Sequence, residues 1–297
     1  MTVKQVTELN DSLEARVIKT LSLMDQDLPT IPVVLSQIMH MTASSNSSVK
    51  DLIRVLNQDQ SLTARILRVA NSAYYGLREK ATTIERAVVI LGFDMVRSLA
   101  VGASFIHYFS PKNQYENFDL NAFWAHTTAV GVFAESIALE MPSLDASDAF
   151  TAGILHDIGK LVMLIYFEEE FSRVLRRIAE ERLDFFEAEI SELGLSHAGV
   201  AGILLRHWNI PEVLAEAIEH HHQPLNAVNN LDLSICLHLA DFAARYIQIG
   251  ASGSPYFQTP SIELLKKINM TGRDFKAVLK QLVRKKEDVF NLISALD

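Results

Sequence analysis

Residues 151–163 read TAGILHDIGKLVM, a run of small and apolar side chains interrupted by His156, Asp157 and Lys160. Burying a polar side chain costs free energy unless it is paired, so an ordinary core helix has no reason to carry three such groups. The stretch is a working metal site, the remains of one, or a hydrogen-bonded core pair. The choice decides what the rest of the chain is for.

Outward from this stretch the pattern is helical. Leu9, Leu13, Val17 and Leu21 recur every four residues, which predicts an amphipathic first helix. Pro29 and Pro32 separate it from the next. Ser48 with Asp51, and Thr82 with Glu85, read as capping pairs that open two more helices. With 12 Gly, 8 Pro and no sustained strand-like alternation in 297 residues, an all-α protein is expected. The polar break SPKNQYENFD at 110–119 divides it into two lobes. AFTAGILHDIGKLVMLIYF reads as one helix, GASGSP at 250–255 as a flexible link, and the remainder as a final helical pair.

Composition narrows the function classes. The chain is 49% hydrophobic and 21% charged, enough for a sizeable core. LVMLIYF and the other apolar runs fall short of the roughly 18 residues a membrane span needs. The polar start has no signal-peptide core, and a single Cys236 suits a reducing cytoplasm. With 27 basic against 36 acidic residues, the net charge of −9 disfavours nucleic acid as a partner, because non-specific binding depends on neutralising phosphates. Arg54, Arg65 and Arg68 on neighbouring helices are what a nucleic-acid reading would use.

Seven polar residues interrupt apolar helix faces in the second lobe: His126, His156, Asp157, His197, His221, His222 and Asp241. Imidazole and carboxylate together suit zinc, iron or manganese. On a helix, His156 and Asp157 would diverge by about 100°, so each could serve one side of a metal centre, or Asp157 could bridge two ions. Any one of these histidines alone is more often a hydrogen-bonded core residue than a ligand. His107, His207 and His238 fit no such set and read as structural or exposed.

The order of single His, His-Asp, single His, His-His and Asp resembles the HD superfamily of metal-dependent phosphohydrolases, and most closely its HD-GYP branch. The segments LPTIPVVLSQIM, LIRVLNQDQSLTARILRVANSAYYG, TTIERAVVILGFDMVRSLAVG and ELGLSHAGVAGILLRHWNIPEVLAEAIEHHHQP are similar to the signature of HDOD domains. That resemblance runs from about Leu28 to Ala244. It implies an N-terminal helical lobe at 28–115 and an HD-like helical lobe with a metal site at 116–250; the helical pattern outside it adds an N-terminal helix at 1–27 and a C-terminal helical extension at 251–297. The resemblance also implies that the seven residues match positions that ligate metals in the HD-GYP branch, holding one or two divalent ions. Lys160 matches the lysine that approaches substrate phosphate there.

HDOD domains are regulatory modules, mostly non-enzymatic, so the resemblance implies a bacterial signal-transduction role with a signalling protein as partner. A nucleotide or phosphate ligand is the other expected partner. The alternative is a metal-dependent phosphohydrolase in which Asp157 and Lys160 take catalytic parts. Against cyclic di-GMP hydrolysis, QPLNAVNNLDLSI follows His222 with no glycine, where an HD-GYP enzyme carries its glycine-rich substrate loop.

Overall fold

The computed structural model describes residues 12–23, 34, 37–38, 41, 48–108 and 118–296, and every regular element among them is helical. Leu9, the Pro29–Pro32 segment, the ASSNSS loop before Ser48 and nearly all of the 110–119 break lie outside the described residues. The first part comprises α1 (Leu13–Leu23), α2 (Val49–Leu56), α3 (Gln60–Ala70), α4 (Ile84–Leu91) and α5 (Phe93–Tyr108). Around the central stretch come α6 (Leu120–Ala138), α7 (Ala146–Leu155), α8 (Ile158–Tyr166), α9 (Glu168–Glu181) and α10 (Phe185–Leu193). Then follow α11 (His197–His207), α12 (Glu212–Glu219), a short 3-10 turn (Pro224–Asn226) and α13 (Leu231–Ile247). The chain closes with α14 (Ile262–Lys267), α15 (Gly272–Arg284) and α16 (Lys286–Leu296).

Local chemistry accounts for most boundaries. Ser48 and Asp51 form the reciprocal capping box expected of them. In α4 the cap is Thr83, one residue later than the Thr82–Glu85 pattern predicts; its hydroxyl accepts from the Arg86 amide. Gly92, with φ +88°, ends that helix in a conformation that favours glycine. Between α3 and α4, the Asn71 side chain donates to the Ala81 carbonyl and accepts from the Ala81 amide, at 2.8 and 2.7 Å, stapling the loop.

The helices pack on one continuous apolar core. Helix α6 is its axis, with α7 and α13 packed along it; α7 also packs on α5, joining the first helices to the second set. Phe105 of α5 reaches Trp208, ring centroids 5.6 Å apart. The stretch Ala146–Tyr166 is long and apolar enough to cross a bilayer, but 89% of its most apolar window is buried inside the protein. It is the core of a bundle. The C-terminal pair becomes three helices because the last one breaks at Lys285, and α16 then packs against both α3 and α6.

Candidate metal centre

The expected single helix through residues 149–167 is interrupted where the chemistry lies. α7 ends at Leu155, α8 begins at Ile158, and His156 and Asp157 form the turn between them. Asp157 occupies the N-cap position of α8 yet makes no capping hydrogen bond with its side chain. Its carboxylate is turned inward instead. Gly159 permits this: a Cβ there would lie 1.9 Å from the His197 carbonyl oxygen, so only glycine lets the start of α8 abut the start of α11. His197 opens α11 behind a Ser196 cap, and His221 and His222 lie in the turn that follows α12. His126 and Asp241 come from the middles of α6 and α13.

All seven residues converge. Potential ligand atoms of Asp157, His197, His221 and His222 lie within 4.8 Å of one another, as do those of His126, His156 and Asp241. Asp157 spans the two groups: Oδ1 is 3.0 Å from His197 Nε2, while Oδ2 is 3.4 Å from His156 Nε2 and 3.9 Å from His126 Nε2. His126 Nε2 lies 3.1 Å from Asp241 Oδ1. His222 Nε2 and His197 Nε2 are 3.0 Å apart.

The outer nitrogens fix the tautomers. His156 Nδ1 donates to the Gly153 carbonyl and His221 Nδ1 to the Ile218 carbonyl, each at 2.7 Å, since a carbonyl can only accept. His197 Nδ1 donates to Glu189 Oε2 at 2.5 Å. Each of these rings therefore presents a bare Nε2 lone pair to the interior when neutral. Nε2 of His126, His156 and His221, with Oδ1 of Asp157 and Asp241, are buried without an aligned hydrogen-bond partner. Five such orphans in one spot would each cost about 1–3 kcal/mol. A cation is what lone pairs from five directions can share, so the donor set fits a divalent metal.

Electrostatics match that assignment. Burial pushes His156 down to about 4 and holds His221 and His222 well below the usual imidazole range, so all three rings are neutral at pH 7. Burial raises the Asp157 carboxyl, but His156, Lys160 and His197 outweigh it and hold it well below the usual range. Arg245 and His126 overcome burial at Asp241 in the same direction. At His197 burial acts downward, yet Glu189 wins and raises it.

The supporting groups were less legible. Glu189, only 1% exposed, also accepts from the His197 backbone amide at 2.9 Å, making a carboxylate–histidine pair that orients a ligand. Nothing in FFEAEISEL marks it out from Glu187 and Glu192; only its place eight residues before His197 hints at it. His238, read from the sequence as structural or exposed, donates from Nδ1 to the His221 carbonyl at 2.9 Å and lines a cavity beside the centre. The Lys160 ammonium donates to Asp157 Oδ2 at 2.6 Å and to the Ser252 carbonyl at 2.9 Å, and lies 4.7 Å from the Phe185 ring centroid. It stands behind Asp157 as a brace.

GASGSP is no flexible link. The Ala251 amide donates to the Ala122 carbonyl at 2.8 Å, Ser252 and Ser254 are buried, and Gly250 (φ +67°) lies so close to α6 that a Cβ would meet His126 N at 2.3 Å. This strap borders a cavity of about 470 Å³ that reaches His126. A second cavity, of about 290 Å³, exposes His222 and Asp241, one residue from each ligand group. Arg245 walls both. Beyond His222, Glu216 accepts from the Val228 and Asn229 amides and from Asn230 Nδ2, so the short loop is pinned down.

The HDOD domain profile matches residues 28–224, and the chain belongs to the HDOD domain family. An HDOD domain protein of unknown function from Geobacter sulfurreducens is similar over 96% of this chain and 99% of its own, at 24% identity and a TM-score of 0.77. A Shewanella amazonensis SB2B protein, provisionally named a phosphohydrolase, is similar over 97% of this chain and 99% of its own, at 24% identity and a TM-score of 0.74. An uncharacterised protein of Treponema pallidum (strain Nichols) is 23% identical over 259 residues, which cover 86% of this chain. The chain spans about half the length of that relative, 47%. At these identities the similarity to the solved structures speaks for the fold.

Proposed function

We propose that this chain is a cytoplasmic signalling module that acts by binding a protein partner or a small ligand, and that it keeps an HD-type centre for one or two divalent ions. The observation that carries this reading is the convergence of five buried ligand-type atoms without an aligned hydrogen bond, from two helices and two turns. His126, His156 and Asp241 would hold one ion, and His197, His221 and His222 the other, with Asp157 shared between them. Mixed imidazole and carboxylate donors suit iron, manganese or zinc. The bound ion supplies Lewis-acid chemistry.

Two features favour binding over turnover. The Lys160 ammonium is committed to Asp157 and the Ser252 carbonyl, and its side chain is 3% exposed. The loop after His222 is short and anchored on Glu216. A second reading, phosphohydrolase activity in which Asp157 and Lys160 take part, draws on the same donor set. Nucleic-acid binding has less support: Arg54, one of its three arginines, pairs with Asp51 at 3.1 Å.

The test is metal content of protein purified without chelator or nickel, beside a His156→Ala, Asp157→Ala variant. One or two equivalents of iron, manganese or zinc, lost in the folded variant, is the expected result. A folded wild-type protein that stays empty after metal is supplied would sink the proposal.

A further inference from the structure

Arg245 touches the candidate ligand Asp241, the cap of α10 and the segment after the strap without being a candidate ligand itself. Its Nη2 donates to Asp184 Oδ2 and to the Tyr256 carbonyl, both at 2.6 Å, and its Nη1 lies 3.4 Å from Asp241 Oδ2. Its side chain is 9% exposed, and its Nε is buried without a partner. It forms part of the wall of each cavity, and Phe257 lies over the guanidinium at 5.1 Å. An arginine with a spare buried N–H at the edge of an open cleft is placed to receive something from that cleft.

Charge says what that something is. With imidazoles neutral, the contacts around the centre join four carboxylates, Asp157, Asp184, Glu189 and Asp241, to two cations, Lys160 and Arg245. One divalent ion cancels the two surplus negative charges. Two divalent ions reverse the sign, and the dry interior then holds two uncompensated positive charges, a costly arrangement unless an anion enters. The 290 Å³ cleft is the route, since it exposes His222, Asp241 and Arg245 together. Its rim acid, Glu187, is solvent-exposed and occupied by Gln258 at 2.6 Å, so it does not close the route to an anion.

Resting on the metal-site reading above, we propose that Arg245 is an anion-recognition residue: in the metal-loaded protein it binds an oxygen of a phosphate-type ligand seated in this cleft. A planar guanidinium fork suits a tetrahedral oxyanion better than a lysine would. Phe186 and Phe257 on the cleft wall offer aromatic faces to whatever the phosphate carries.

The experiment is calorimetric titration of metal-loaded full-length protein with inorganic phosphate, and separately with phenyl phosphate, with metal content measured on the same samples. Arg245→Gln is expected to weaken binding by about tenfold to a hundredfold, the range for a lost charge-assisted hydrogen bond, with metal content unchanged. Asp184→Asn keeps the cap on α10 but removes the competing charge, so it is expected to tighten binding several-fold; a mere brace would give only loss of stability. It also carries the test if Arg245→Gln does not fold. Tighter binding of phenyl phosphate assigns the site to a phosphorylated molecule, and equal binding to free phosphate. Phosphate affinity unchanged by both substitutions in protein that retains its metal overturns this inference alone. Wild-type protein that takes up no metal overturns the metal-site reading and this inference with it.

Discussion

Helices α2 and α6 handle polar groups in opposite ways. α2 buries Leu52, Val55 and Leu56 and leaves Lys50 and Arg54 in water, so its polar groups cost nothing to hold. α6 buries His126, Thr127, Thr128 and Glu135 along with its apolar residues. Surface pairs such as Arg54–Asp51 contribute little to stability, and α2 would fold much the same without them. Around α6 the polar groups are structural commitments, and each needs a partner. Where no side chain supplies one, the lone pairs gather at a single point, and that difference locates the functional centre.

Four measurements would break or sharpen the contrast. The largest effect is expected from Gly159→Ala, whose new methyl would collide with the His197 carbonyl. A loss of about 3 kcal/mol or more in urea unfolding is expected, together with loss of bound metal; a near-neutral change would show that the two helix starts can move apart. Next comes Lys160→Ala, which leaves Asp157 Oδ2 and the Ser252 carbonyl without their donor. In chelator-treated protein it should cost about 3 kcal/mol, and clearly less once metal is supplied, because the cation replaces the lost charge. Equal costs in both states would place the metal away from Asp157.

Glu189→Gln tests the second layer. It should weaken metal binding about tenfold to a hundredfold. Glu189 raises His197 above its ordinary value of 6.5, so the proton there competes with metal, and apparent metal affinity should climb as pH rises through that raised pKa. The same proton stabilises metal-free protein below pH 6.5, a contribution lost as pH rises through the raised value. In Glu189→Gln the pH dependence of metal affinity should flatten; a slope equal to wild type would mean that Glu189 does not tune His197. The smallest effect belongs to the first helices: Val89, 74% exposed on α4, should tolerate alanine within about 0.5 kcal/mol in the same unfolding assay. A large loss there would reveal a packing partner for that face.

How much of this was legible in the chain depended on whether the signal was local. The helical class and the capping pair at Ser48 follow from periodicity and turn chemistry within a few residues. The seven candidate ligands stand out because a histidine or aspartate amid apolar neighbours is conspicuous in any fold. Asp157 was visible as a residue, but the break that frees its carboxylate was not, since ILHDIGKL reads as continuous helix. Glu189 sits among other acidic residues on its helix, and nothing local tells an inward carboxylate from a solvated one; Arg245 reads as an ordinary basic residue in the last turn of α13. GASGSP reads as a linker because small residues serve both for flexibility and for close approach.

By itself, then, the sequence determined the helical class, the HDOD family and the seven residues that could hold metal, because those signals are carried by residue type and short-range order. Only the tertiary structure decided that the seven meet at one point, that Lys160 is spent on Asp157 and the strap, and that Arg245 stands between two cavities with a donor to spare. Those facts depend on distances between residues as far apart in the chain as His126 and Asp241, and such distances are set by how whole helix faces pack.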